Sequence, residues 1–285
     1  MAVTARTVTR PDLMRALDRR ELAVVFQPQL TGDGRSVASV EALLRWHRPD
    51  GRIDGAEQFV DMAERAGMID LVGLYVLEQA CTAARVWPQI TLAVNISPNH
   101  FAKPGFVEDV ARVLDATWFP PERLEIEIVE SAAFADPEFA RQQIDRLHAL
   151  GARVAMDDFG TGYSSLSLLQ RLPFDKVKID KSFVDGIPNT RSVAILHAMI
   201  ALVRALGMKV TAEGVETVEQ QRFLKAAGCH YLQGFLYARP LAMTRDQWRN
   251  YICCVLTVRE DLIRDQQPVV QDLVNHVQAA GSWLE

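Results

Sequence analysis

"AVVFQPQLTGDGRSVASVEALLRW", residues 23–46, holds two apolar runs, 23–30 and 37–46, separated only by "TGDGRS". A connection that short, with two glycines and an aspartate, makes a hairpin and leaves no room for a helical crossover, so the two runs are expected to pair antiparallel. The rest of the chain has a different rhythm. Strand-like runs at 91–97 ("TLAVNIS"), 124–130 ("LEIEIVE"), 153–158 ("RVAMDD"), 176–180 ("KVKID"), 209–214 ("KVTAEG") and 231–234 ("YLQG") alternate with segments of helical spacing. Those segments lie at roughly 57–86, 106–116, 137–149, 164–171, 190–206 and 216–227. Helical returns bring successive strands parallel. Eight strands, the first reversed by its hairpin, predict an α/β fold, a TIM-like (β/α)8 barrel with the first strand antiparallel. A doubly wound sheet is the rival architecture, and no GxGxxG follows an early strand to support it.

The boundaries follow from this pattern. Residues 1–19 read as an N-terminal lead-in helix, 20–243 as the barrel, and 244–285 as a C-terminal helical extension of the same domain. No linker, low-complexity tract or internal repeat divides the chain. At 285 residues it can bury a full core. With 49% hydrophobic and 24% charged residues and a net charge of -5, it lacks the bulk positive charge that a nucleic-acid polymer would require. Cys81, Cys229, Cys253 and Cys254 form no CxxC pair and no zinc spacing with histidine, so they read as free thiols in a reducing compartment. The N-terminus lacks a signal-peptide core. The longest apolar stretch, 193–207, carries His197 and Arg204 and reads as a buried helix rather than a membrane span, so a cytoplasmic location is expected.

In a barrel of this kind the site is built at the carboxyl ends of the strands. The residues there are Asn95, Glu127, Glu130, Asp157, Asp158, Lys178, Asp180, Glu213, Glu216 and Gln233, with Glu41 inside the second strand. Glu41 and Glu127 sit within apolar runs, where two-residue alternation aims them into the barrel, and a buried carboxylate needs a partner. Glu41, Glu127, Asp157, Asp158 and Glu213 together would repel one another, whereas hard divalent cations bind such oxygen clusters well. Magnesium or manganese is therefore implied. Asn95 adds a neutral oxygen, and no histidine is expected at a strand end, which argues against zinc. The six histidines read as surface or packing residues.

Taken in order, "EALLRW" (41–46), "NIS" (95–97), "EIEIVES" (125–131), "DDFGTGYSS" (157–165), "KVKIDKSFV" (176–184), "AEGVET" (212–217) and "LQGFLYARPL" (232–241) resemble the EAL-domain phosphodiesterases that cleave cyclic di-GMP. The resemblance spans about residues 20–243. It implies that Glu41, Asn95, Glu127 and Asp157 hold one metal ion and that Asp157, Asp158 and Glu213 hold a second, with Asp157 shared. Two ions, Mg2+ or Mn2+, would then activate a water that opens cyclic di-GMP to linear pGpG. Lys178, Glu213 and Glu41 would be the catalytic residues, with the group that accepts the proton left open. Gln27, Arg45, Gln233 and Glu216 would contact or border the substrate, Arg45 being suited to a bidentate phosphate contact. Glu130 would anchor the loop 159–165, which in the family couples the aspartate pair to dimer contacts, so a homodimer is expected.

One departure from the family pattern is Val129, where a threonine often precedes the loop-anchoring glutamate. Two other functions compete with hydrolysis: a sensor that binds cyclic di-GMP without cleaving it, and a protein-interaction platform. No cyclase motif or recognisable sensory domain is read beside the barrel, so the input signal is expected either not to be encoded in this sequence or to lie in a regulatory partner protein.

Overall fold

The computed structural model describes residues 9–161, 166–187 and 189–242. The extension expected at 244–285, the start of the lead-in segment, Cys253, Cys254 and loop residues 162–165 lie outside the described residues. Among the described residues ten strands form one sheet: β1 (Leu22–Thr31), β2 (Val37–His47), β3 (Ile53–Gly55), β4 (Thr91–Ile96), β5 (Leu124–Val129), β6 (Arg153–Phe159), β7 (Lys176–Ile179), β8 (Lys209–Ala212), β9 (Tyr231–Leu232) and β10 (Leu241–Ala242). The described α-helices are α1 (Arg10–Asp18), α2 (Val60–Arg65), α3 (Ile69–Ala84), α4 (Pro98–Phe101), α5 (Phe106–Thr117), α6 (Glu130–Ala135), α7 (Pro137–Leu150), α8 (Leu166–Arg171), α9 (Lys181–Asp185), α10 (Thr190–Ala205) and α11 (Val218–Ala227).

The order β1-β2-β4-β5-β6-β7-β8-β9, closed by pairing of β9 back to β1, is an eight-strand barrel. β1 is antiparallel to both β2 and β9, and every other seam of the ring is parallel. The reversed first strand is thus what the short 31–36 connection dictates. β3 and β10 are short additions to the outer ends of β2 and β1.

The strand faces divide the work of the fold. Leu92, Val94, Ile126, Ile128, Val154, Met156, Val177, Ile179 and Val210 are buried and form the layer on which the helices pack. The alternate residues point inward, and several are polar: Gln29, Glu125, Glu127, Lys176 and Lys178 are all at most 4% exposed. Barrel interiors are usually filled by branched aliphatics, so this one departs from the common pattern.

The helix expected over 57–86 is broken. α2 ends before Gly67, whose φ of 64° is left-handed, and α3 starts at Ile69. A glycine there allows the chain to turn without the Cβ clash that other residues would meet. The expected 216–227 helix begins at Val218, because Thr217 caps it by accepting from the Gln220 backbone. Short helices α4, α6 and α9 follow β4, β5 and β7 directly and crowd the carboxyl-end mouth of the barrel. Among the described residues no helix is long and apolar enough to cross a membrane.

Candidate metal centre

β2 delivers Glu41 and β5 delivers Glu127 to the barrel interior, 5% and 1% exposed, as their alternation within apolar runs requires. Asp157 ends the regular part of β6, and Glu213 stands one residue beyond β8. Adjacent strand residues face opposite ways, so a plain strand would point Asp157 and Asp158 apart. Here the β6–β7 register slips between Met156 and Phe159, and Asp158 adopts a left-handed φ of 56°. That bulge turns Asp158 back, and its N–H donates to Asp157 Oδ1 at 2.9 Å. Aspartate tolerates this backbone better than most residues, and such local strain is concentrated at functional sites.

The result is two overlapping groups of oxygen donors. Ligand atoms of Glu41, Glu127 and Asp157 lie within 4.8 Å of one another, and so do those of Asp157, Asp158 and Glu213. Asp157 belongs to both. Asn95 from β4 donates to Glu41 Oε1 at 2.6 Å, and rotation of its amide would present a carbonyl oxygen on the same arm. Gln233 donates to Glu41 Oε2 at 2.5 Å and to Gln27 Oε1 at 3.2 Å, and Gln27 donates to the Ala238 carbonyl at 3.2 Å.

Lys178 from β7 stands in the middle. Its Nζ is 2.8 Å from Glu127 Oε2, 2.8 Å from Glu213 Oε1, 3.2 Å from Asp157 Oδ2 and 3.5 Å from Glu41 Oε1. Burial disfavours its charge, but the surrounding carboxylates outweigh that, and the ammonium is held well above its usual range. One ammonium does not neutralise five carboxylates. Burial, reinforced by Glu41 and Asp157, raises Glu127 well above the carboxylate range, and burial pushes Glu213 up to about 8. Asp158 is raised by burial and then by the Asp157 charge. Glu41 alone goes down: burial pushes it up, but Lys178 and the donors Gln233 and Asn95 prevail. Carboxylates forced towards protonation, all-oxygen donors and no histidine in either triad fit hard divalent cations.

The remaining candidates fall around this centre. An open cavity of about 240 Å3 is lined by Gln27, Glu41, Asp157, Glu213, Glu216 and Gln233, with Lys181 and Phe235 at its edge. Glu216 accepts from Lys181 Nζ at 2.6 Å, a rim cation that the sequence reading passed over. Arg45 shares the Glu41 face of β2 but lies outside this lining, and its Nη1 donates to the Leu44 carbonyl at 2.9 Å. Glu130 is 5% exposed and opens α6, directly behind Val129. One expectation needs correcting: His47 ends β2, because the strand runs one residue further than its apolar run, but the side chain is exposed and belongs to neither triad. Cys81 and Cys229 are buried free thiols, each pushed up to about 12 by burial and so inert.

Fold and site together define a class: a TIM-like barrel with one reversed strand and an acidic, oxygen-only centre at the carboxyl ends of its strands. The sequence model described as the EAL domain matches residues 10–240, and the chain belongs to the EAL-domain family. A signalling protein of Caulobacter vibrioides without an assigned function is 45% identical over 231 residues, covering 80% of this chain and 29% of that protein. The bifunctional diguanylate cyclase/cyclic di-GMP phosphodiesterase MucR of Pseudomonas aeruginosa is 40% identical over 236 residues, 81% of this chain and 34% of that protein. The chain therefore spans about a third of the length of these curated relatives. The solved structure of the PaMucR phosphodiesterase in complex with c-di-GMP superposes with a TM-score of 0.79 at 40% identity, over 83% of this chain and 98% of that one.

Proposed function

We propose that this domain hydrolyses cyclic di-GMP to linear pGpG with the help of two divalent cations, Mg2+ or Mn2+. The observation that carries the reading is the pair of carboxylate triads that share Asp157. Bound there, such ions polarise phosphoryl oxygens and make water a nucleophile at neutral pH. Glu41, Asn95, Glu127 and Asp157 are the residues to hold one of them, and Asp157, Asp158 and Glu213 the other. Lys178, the one ammonium inside the ring, is placed to stabilise negative charge as it develops on the attacked phosphate. Glu213, whose Oε1 is held 2.8 Å from Lys178 Nζ, lines the cavity beside Asp157 and is placed to orient the attacking water. Gln233 holds Glu41 and is itself tied to Gln27, and both glutamines border the cavity where nucleotide would lie. Glu216 and Lys181 at the rim present a polar edge to the same nucleotide, and Arg45 on the Glu41 strand is the bidentate phosphate contact that the family reading assigns. Glu130 would anchor the loop that follows the aspartate pair. The same reading supports a homodimer in the cytoplasm, answering to a regulatory partner.

The test is release of pGpG by the purified chain in Mn2+ or Mg2+. EDTA should abolish it, and Glu41→Ala should lower kcat/KM by at least about a thousandfold, roughly 4 kcal/mol of transition-state stabilisation. Wild-type protein that binds cyclic di-GMP in Mn2+ and releases no pGpG would make the domain a sensor. Protein that binds no nucleotide would leave the interaction platform.

A further inference from the structure

Directly beneath the carboxylate ring the barrel interior holds a second polar layer. Lys176 Nζ pairs with Glu125 Oε1 at 2.5 Å, and both side chains are at most 5% exposed. Gln29, with no exposed surface, lies between this pair and the metal centre. Its Oε1 accepts from Ser39 Oγ at 2.7 Å and from Lys176 Nζ at 3.4 Å, while its Nε2 faces Glu127 Oε1 at 3.5 Å. Because β1 runs against its neighbours, stepping from Gln27 to Gln29 descends from the mouth, and the register puts Gln27 beside Glu41 and Gln29 beside Ser39.

We infer that Gln29 is a positioning residue for Glu127, its amide oriented from below by Lys176 and Ser39 so that its NH2 group meets the Glu127 oxygen that Lys178 leaves free. The orientation is determined by charge. Turning the amide over would set its NH2 against the Lys176 ammonium and its carbonyl against the Glu127 carboxylate, two repulsive contacts in place of two favourable ones. Lys178 holds Glu127 Oε2 at 2.8 Å, so with Gln29 on Oε1 both carboxylate oxygens are directed and the side chain is fixed in rotation. Replacing a partner that orients a metal ligand in this way typically costs about 10–100-fold in metal affinity or activity.

This inference rests on the metal reading of the mouth, and binding of Mn2+ by nucleotide-free protein tests it without turnover. The free Mn2+ electron paramagnetic resonance signal gives the dissociation constant for wild type, Gln29→Met, Glu127→Gln and the double variant, with thermal midpoints measured alongside. Gln29→Met should weaken binding about tenfold in the wild-type background. In the Glu127→Gln background, where Asp157, Asp158 and Glu213 still offer a triad, it should change binding by less than about twofold. Equal weakening in both backgrounds, or wild-type affinity in folded Gln29→Met, would overturn the assignment. If Gln29→Met does not fold, Gln29→Glu keeps the acceptor contacts with Ser39 and Lys176 and sets a carboxylate oxygen against Glu127 in place of the donor; it too should bind about tenfold more weakly, and wild-type affinity would overturn the assignment. Wild-type protein that binds no Mn2+ would remove the metal reading itself, and this inference with it.

Discussion

The two polar layers inside the barrel share three strands and differ in charge balance. β1, β5 and β7 each carry a polar residue twice at two-residue spacing: Gln27 and Gln29, Glu125 and Glu127, Lys176 and Lys178. In the lower layer one carboxylate meets one ammonium at 2.5 Å and an amide links the pair to Glu127 above, so the layer is neutral. In the upper layer the same alternation is joined by Glu41, Asp157, Asp158 and Glu213, and a single lysine faces five acids. A buried charge that the protein pairs itself contributes to the fold, and an excess that it leaves unpaired calls for a ligand. The lower layer sets the strand positions on which the upper one depends.

Breaking the lower pair should give the largest change in stability. Lys176→Met leaves Glu125, 1% exposed, without its cation and should cost about 3–5 kcal/mol. Adding Glu125→Leu removes the stranded charge and should restore most of that loss, since an apolar pair of similar volume is often neutral relative to a buried ion pair. Urea unfolding of the three proteins measures both steps. If the single variant is as stable as wild type, the lower layer is wetter than its burial indicates, and the contrast between layers fails.

The upper layer should respond in the opposite sense when metal is withheld. Burial raises Glu213 from 4.5 to about 8 in the folded chain. Between those values the folded state holds a proton that the unfolded state has released, so stability falls as pH rises through this window and levels off above it. Glu213→Gln removes that dependence. In EDTA the variant should therefore gain on wild type as pH climbs, by roughly 3–4 kcal/mol between pH 5 and pH 8. In Mn2+ the order should invert, because the carboxylate then has its cation and the amide is a poorer ligand. Thermal unfolding at pH 5 and pH 8, each with EDTA and with Mn2+, reads out the crossing. Parallel curves for the two proteins would mean that Glu213 feels no unbalanced charge.

How far these layers could be read from sequence depended on the physical kind of signal. The hairpin at 31–36 dictated the reversed strand, because a connection too short for a helix leaves one pairing mode. Glu41 and Glu127 were legible because a lone acid inside an aliphatic alternation has one place to point. Gln29 and Lys176 carried the same alternation, but each next to a residue with a more obvious role, and a neutral lower layer attracts no notice until the distances are known. The placing of Asp158 at the centre was legible only through the aspartate-pair motif, since the bulge that turns it back depends on the register of β7 rather than on local periodicity. Two- and three-residue strands such as β10 and β3 are too short to show a period, so the sheet proved wider than its eight barrel strands. Arg45 shows the converse: the motif marks it as a phosphate contact, but reach into the cavity is a property of side-chain conformation, and its Nη1 donates to the Leu44 carbonyl.

The smallest effect expected is also the most local. Val129 closes β5 and stands as the N-cap of α6, with φ −67° and ψ 153° and no side-chain bond to the helix. Those dihedrals suit a threonine cap, whose hydroxyl would accept from a backbone N–H of the first turn, two or three residues on. Val129→Thr keeps the branched shape and exchanges one methyl for a hydroxyl, so the fate of that hydroxyl decides the outcome. If the hydroxyl finds the helix N–H, the gain should be about 0.5–1 kcal/mol, a rise in Tm of roughly 1–3 °C for a domain of this size. If it does not, the half-buried site leaves a polar group without a partner, and stability should fall by a similar amount. The sign of the shift therefore reports whether α6 starts with the geometry described. Since Glu130 is the next residue and Glu127 lies two before, a tighter cap should also hold the β5 end of the carboxylate ring more firmly. Neither layer's charge balance is touched by this change, so the slope of stability against pH in EDTA should match that of wild type.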